Sequence, residues 1–416
     1  MINFSSFSLK NGLKVIVHED RSSPLVAMNI LYDVGSKDDD PAMTGMAHLF
    51  EHLMYCGSVN IPEYDLPLQR AGGENNAFTN NDITNYYLTI PSENIETGFW
   101  LESDRMLQPD FSRNKLEIQK KVVIEEFKQR YLNQPYGDVM LLLRPNAYRV
   151  HPYRWPTIGM DTSHLESIGL KNVRNFFLSH YAPDNAILTL SGNITAEKGY
   201  NLSEKWFGPI TGRIAARRQL PAEPPQTEER KLTVERNVPS HSLYKAWHIG
   251  PRLSEDFPTL DLLTDLLAGG ESGRLYNRLV REKNLFTEIN IYITSEIDPG
   301  LMILNGKLLK GTDMTKADIA VNELIEELKN SPVTENELEK VKNKFESSTV
   351  LSNTSILNKA MNLSFCELLG DAGLLNSEIE NYRAVSSKMV TDTAGNYLNP
   401  ENCTTLYYMS ALKNQP

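Results

Sequence analysis

Two stretches near the N-terminus, LKVIVHED over residues 13–20 and LVAMNILYDVG over residues 25–35, alternate in the manner of β-strands. Helical spacing follows from about residue 45 to 56, and again from 64 to 70. The run FTNNDITNYYLTI, residues 78–90, reads as two strands paired around an Asn-Asn-Asp turn. Long helical stretches come next, over residues 92–106, 112–132 and on towards Tyr148. A helix over Leu170–His180 then precedes the strand NAILTLSG.

Residues 208–230 break the pattern, with Pro221, Pro224 and Pro225 among charged residues and little apolar content. That composition predicts a linker at 211–230 between domains 1–210 and 231–416. Beyond it the order of elements begins again: strands over residues 231–250, a helix over Phe257–Ala268, more strands, and long helices from 313 to 369. Residue strings repeat as well. SHYAPDNAILTLSGN resembles GNYLNPENCTTLYYMSA, setting Tyr181, Pro183 and Asn185 against Tyr397, Pro400 and Asn402 with one residue inserted. HLFEHLMYCGS resembles DLLTDLLAGGES, setting His48, Glu51 and His52 against Asp261, Thr264 and Asp265. The expectation is a duplicated α+β domain in which only the first copy keeps the chemistry.

At 416 residues the chain is long enough for two domains of ordinary size. Its 40% apolar and 23% charged content is that of a globular protein, and no apolar run is long enough to span a membrane. A formal net charge of −11 argues against nucleic acid as the main partner. Three cysteines, Cys56, Cys366 and Cys403, stand far apart and form neither a disulfide framework nor a thiolate metal site. The opening MINFSSFSLKNGLKVIV has no basic-then-apolar leader. The expected location is therefore the cytoplasm, or the periplasm if a leader has been removed.

The chemistry concentrates in HLFEH. Residues four apart on a helix share a face, so His48 and His52 can offer two imidazole nitrogens to one ion, with Glu51 leaning to the same side. Zinc with three protein ligands keeps a position for water and lowers the pKa of that water to about 7. A carboxylate beside it can then act as general base. This is the HxxEH arrangement of metal-assisted hydrolysis. A third ligand is expected from KLEIQKKVVIEEFKQR, a strong helix with two adjacent glutamates. Glu125 and Glu126 project about 100° apart, so only one of them can face the ion.

Taken together, GMAHLFEHLMYCGS, AGGENNAFTNNDITNYYLTIP and KKVVIEEFKQR resemble the pitrilysin and insulysin peptidases, in the branch that includes the processing peptidase of mitochondria. HPYRWPTIGMDTSHLESI, YAPDNAILTLSGNI and KWFGPI follow the same branch. The likeness is dense over residues 10–210 and thinner through the second half. It implies two homologous α+β domains, each an antiparallel sheet covered by helices. It implies a zinc endopeptidase with His48, His52 and Glu126 as ligands and Glu51 as base. It also implies that an extended peptide adds as a strand along Asn76, Ala77, Phe78 and Thr79, and that two such chains close around an interior chamber.

Two departures from that pattern carry weight. Gln119 stands where the family often has a glutamate near the third ligand, which weakens the tuning of the ligands. In the second half, where an arginine and a tyrosine approach the substrate, the chain reads REKNLFTEI. Arg281 remains, Thr287 or Glu288 falls where the tyrosine is expected, and Tyr292 lies a few residues on. The reading is a peptidase acting on unfolded peptides beside a homologous partner subunit that carries the arginine–tyrosine pair, a homodimer being the other arrangement. Two alternatives stand beside it: a non-catalytic core or assembly subunit of the same fold, and hydrolysis of a non-peptide amide or ester.

Overall fold

The computed structural model describes residues 1–212 and 219–411; residues 213–218 of the expected linker, and 412–416, lie outside the described residues. The chain forms two compact units that change over at Leu220 and Pro221, inside the expected linker 211–230, but each unit also takes a segment from the other half of the sequence. The first gathers Met1–Gln129, Trp155–Leu220 and Val350–Ser377. The second gathers Arg130–Arg154, Pro221–Thr349 and Glu378–Pro416.

The first unit is built on strands β1 (Ser5–Ser8), β2 (Lys14–Glu19), β3 (Leu25–Tyr32), β4 (Glu74–Thr79), β5 (Thr84–Pro91) and β6 (Ala186–Gly192), in the order β1-β2-β6-β3-β5-β4. The second uses β7 (Arg230–Arg236), β8 (Ser242–His248), β9 (Phe286–Ile293), β10 (Leu301–Leu308) and β11 (Cys403–Ser410), in the order β7-β11-β8-β10-β9. Apart from β1 the two orders match strand for strand. Each sheet is antiparallel except for one pair, β2 with β6 and β7 with β11. The fold is α+β with two homologous halves, as expected, and the parallel pair is an addition that alternation along a strand does not reveal.

Both faces of the first sheet are covered. On one face Gly98, in helix Ile95–Leu107, comes against Leu88 and Met28, and Gly199, in helix Ala196–Trp206, against Val17 and Leu190. Helix Ile356–Leu368, from the far end of the chain, lies on the other face. There Leu363 joins Ile16, Leu31 and Ile187 in one buried cluster. Polar bonds hold it as well. Buried Asn29 donates to Ser364 Oγ at 2.9 Å, Ser364 Oγ donates to Thr189 Oγ1 at 2.7 Å, and Asn85 donates to Asn29 Oδ1 at 2.7 Å. These bonds pair buried donors that would otherwise be costly, although Asn85 Oδ1 has no partner among the described residues.

The second sheet receives the reciprocal element. Helix Val139–Ala147, from the first half of the sequence, packs Val139, Leu143 and Ala147 against Tyr244, Ile303 and Leu406. Helices Phe257–Ala268 and Met314–Asn330 cover the opposite face with Leu263, Leu266 and Val321 around Trp247 and Leu304.

The duplication shows in atoms. Asn185 donates its side-chain amide to His180 O (2.9 Å) and Asp33 O (3.0 Å). Asn402 donates to Tyr397 O (2.9 Å) and His248 O (2.9 Å). Each asparagine thereby closes the last turn of the helix before it, Leu170–His180 or Ser387–Tyr397, and each follows its helix end by five residues. No residue is inserted: Tyr397 corresponds to His180, and Tyr181 to Leu398.

Candidate metal centre

Helix Met46–Met54 buries Met46, Ala47, Leu49, Phe50, Leu53 and Met54, which leaves His48, Glu51 and His52 together on its remaining face. Its start is set by Gly45 at φ +93°, where an added Cβ would lie 2.5 Å from Ile158 O. The fully buried carboxylate of Asp39 accepts from Gly45 N (2.7 Å) and Ala47 N (2.9 Å). That satisfies amides at the helix start which have no partner within the helix. Helix Arg113–Phe127 begins on Ser112, whose Oγ accepts from Lys115 N at 3.2 Å. It stops being α-helical at Phe127, and Lys128–Leu132 continue as a π-helical turn instead of the regular helix expected to 132.

The two helices bring three ligand atoms together. Glu126 Oε2 lies 3.8 Å from His48 Nε2 and 3.7 Å from His52 Nε2. All three donors lie within 4.8 Å of one another, the one such group of metal-binding type among the described residues. Two donors held about 2.1 Å from a tetrahedral zinc stand about 3.4 Å apart. Small side-chain rotations therefore bring this two-imidazole, one-carboxylate set to zinc geometry, and the donor types suit that ion. The adjacent Glu125 turns outward, 61% exposed against 26% for Glu126, and pairs with Lys128 at 2.6 Å.

Glu51 is largely enclosed, and its Oε2 accepts from Thr79 Oγ1 at 2.6 Å. Burial lifts its carboxyl above the ordinary range, the Thr79 bonds pull it back, and the nearby Glu126 pushes it up further. For His52, burial favours the neutral imidazole, the form that ligates a metal, while Glu126 and a side-chain bond to Gln119 oppose that shift. Gln119 also donates through Nε2 to Cys56 Sγ at 3.3 Å, so the amide bridges His52 and a thiol.

Asn76, Ala77, Phe78 and Thr79 all lie on β4, the sheet's edge. Phe78 is exposed, and Asn76 folds its Oδ1 back onto Ala77 N at 2.8 Å. Arg281 belongs to the second unit, exposed on the π-helical segment Tyr276–Glu282. Thr287 and Glu288 are exposed on β9, whereas Tyr292 packs with the cluster under helix Val139–Ala147, and burial raises its phenol. Spacing alone did not reveal the Thr79–Glu51 bond. Its one sequence signal is a hydroxyl at the end of the strand that carries NAFT.

A mixed sheet carrying an HxxEH helix, with a glutamate from a second helix facing it, is the plan of an inverted-zincin peptidase domain. Residues 14–161 match the family described as Insulinase (Peptidase family M16), and residues 167–345 match its partner domain, described as Peptidase M16 inactive domain. The chain belongs to this pitrilysin/insulysin-type family. It is 29% identical to the zinc protease PqqE of Helicobacter pylori over 81% of this chain and 77% of that one. It is 26% identical to the uncharacterized zinc protease YmxG of Bacillus subtilis over 93% and 94%. In fold it is similar to the crystal structure of a protease from Helicobacter pylori, with a TM-score of 0.92 and 24% identity over 98% of this chain and 100% of that one. Among the described residues, no helix is long and apolar enough to cross a membrane.

Proposed function

We propose that the chain is a zinc-dependent endopeptidase acting on extended peptides, with His48, His52 and Glu126 as metal ligands and Glu51 as general base. The reading rests above all on the convergence of His48 Nε2, His52 Nε2 and Glu126 Oε2, with Glu51 on the same helix face. Zinc held by these side chains supplies Lewis-acid activation of water and of the scissile carbonyl. Glu51 takes the proton of the attacking water and delivers it to the leaving amine. With one oxygen held by Thr79, the carboxylate keeps the other for that transfer. β4 offers backbone groups to an extended peptide at Asn76, Ala77 and Phe78, so affinity comes mainly from main-chain bonds. Because Asn76 Oδ1 already occupies Ala77 N, a peptide carbonyl takes that amide only once the side chain swings away.

The second half supports a paired assembly. Its matched domain is described as inactive, and its arginine–tyrosine segment holds Arg281 exposed while Tyr292 serves as packing. A homologous partner subunit that supplies the missing group completes the site. A non-catalytic assembly subunit is the second reading, and it too draws on the inactive-domain match. Glu51→Gln decides between them: it should retain zinc and lose turnover of a quenched peptide by about 10²–10⁴-fold. A wild-type protein that holds no zinc, or holds it without cleaving peptide alone or with its partner, would retire the peptidase.

A further inference from the structure

Thr79 occupies an unusual junction. It is the last residue of β4, the strand to which a peptide is proposed to add, and its side chain turns inward to the general base. Its Oγ1 donates to Glu51 Oε2 at 2.6 Å, and its backbone bonds the same carboxylate. A threonine hydroxyl has one proton, and here Glu51 takes it. The Thr84 hydroxyl across the pair is committed elsewhere, donating to Val34 O at 2.9 Å and standing 3.3 Å from Thr79 Oγ1. The Thr84 oxygen can still accept from Thr79, but at 3.3 Å against 2.6 Å the Glu51 carboxylate is the shorter and stronger partner.

The support behind Thr79 is stiff. In the turn that follows, Asn80 Oδ1 accepts from Asp82 N and Ile83 N, both at 2.8 Å, and Asn80 N donates to Ile83 O at 2.9 Å. That turn is tied in its turn to the segment after β3, through Ser36 N to Asn80 O (3.0 Å), Lys37 N to Asn81 O (2.9 Å) and the Lys37–Asp82 ion pair (2.7 Å). A base orients best when a rigid element fixes it, because a misplacement of about 1 Å can cost 10²-fold in rate.

We infer that Thr79 is a positioning residue for Glu51 and not part of the peptide-recognition edge to which the family resemblance assigns it. The inference rests on the peptidase reading above. It means that the strand receiving the peptide and the base that activates the attacking water share one mechanical support.

The test uses the full zinc-loaded chain, with its partner subunit if turnover requires one. Thr79→Val keeps shape and removes the donor; Thr79→Ser restores it. The expected result for Thr79→Val is a kcat lowered about 10- to 100-fold, with KM within about twofold and zinc content unchanged. Thr79→Ser should return kcat to within about threefold of wild type. A kcat for Thr79→Val within twofold of wild type overturns the inference, as does a loss carried by KM, which would return Thr79 to peptide recognition. A second readout needs no turnover: in metal-free protein, Thr79→Val should lower Tm in the wild type but hardly at all in Glu51→Ala. Additive shifts would show the bond to be incidental and overturn the inference even with the enzyme active. Wild-type protein without zinc-dependent turnover retires the peptidase reading, and with it the positioning role, while coupled melting shifts still identify the contact as structural.

Discussion

Helices Met46–Met54 and Phe257–Ala268 occupy matching places in two sheets of the same strand order, and they treat their polar residues in opposite ways. In the second unit every such side chain has a local partner. Asp261 accepts from Tyr382 Oη at 2.7 Å, Thr264 donates to Asp261 O at 2.8 Å, and Asp265 pairs with Lys344 at 2.6 Å. In the first unit the same face gathers two imidazoles and two carboxylates, and burial together with Glu126 holds the Glu51 carboxyl above the ordinary range. Burial and the neighbouring Asp265 hold Asp261 above the ordinary carboxylate range as well, but there Tyr382 and Lys344 partner the two carboxylates. The first copy keeps an arrangement that a cation would relieve, which is what distinguishes a site from a surface.

The largest effect should come from converting one copy towards the other. His52→Asp places in the first unit the residue that the second carries, and replaces one of the three proposed ligands with a shorter carboxylate. Stoichiometric zinc and peptide turnover should both fall to background, read by elemental analysis and a quenched substrate. The mirror change, Asp265→Ala, removes only a half-exposed ion pair worth at most about 1 kcal/mol and should leave zinc and turnover as they were. If His52→Asp kept its zinc, the contrast between the copies would lose its chemical meaning.

The asparagine clamps sharpen the comparison from the side of sameness. Asn185→Ala and Asn402→Ala each leave two carbonyls without their donor, and each should cost about 1–3 kcal/mol in denaturant unfolding. Matched losses would show that the turn has kept one job since duplication. A negligible loss in either would show that only the residue survived.

A smaller difference lies where helices Arg113–Phe127 and Glu335–Ser352 begin. Ser112 caps the first, with Lys115 three residues on. Thr334 caps the second with Glu337 at that position, and Glu337 accepts from Thr334 N (3.1 Å) and from Arg274 (2.9 Å). Arg274, followed by Thr334, lowers the Glu337 carboxyl to about 2. Its folded value lies below the unfolded one, so its contribution is complete above about pH 4.5 and disappears as pH falls through about 2. Glu337→Gln should lower stability by about 1 kcal/mol at neutral pH, the figure being small because solvent screens the pair. The gap in Tm between variant and wild type should close steadily from pH 5 to pH 2. A gap that did not change with pH would mean that the box acts through shape alone.

Much of this was legible in the chain. Helices Leu170–His180 and Phe257–Ala268 follow from periodicity at the bounds observed, and HxxEH announces its helix because a two-histidine face has few other uses. The choice between Glu125 and Glu126 came from family likeness, since spacing fixes only the angle between them. The clamp register was misread because a matching tyrosine drew Tyr397 opposite Tyr181, while the bond that matters counts back from asparagine to the helix end. Least visible was the destination of helices Ile356–Leu368 and Val139–Ala147. An amphipathic pattern says which side of a helix is buried, not which sheet buries it.

That exchange of helices has a consequence in time. Synthesis runs from the N-terminus, so the first sheet has all its strands by Gly192, but helix Ile356–Leu368 is not complete until Leu368. At about 5–20 residues per second that is a wait of roughly 10–35 s. The face left open meanwhile carries Asn29, Asn85 and Thr189, which water can satisfy until Ser364 arrives. The second sheet never waits. Helix Val139–Ala147 is made before any of its strands, and the corresponding face can be the apolar Tyr244, Ile303 and Leu406. Two equivalent surfaces thus differ both in polarity at matched positions and in how long synthesis leaves each without its cover.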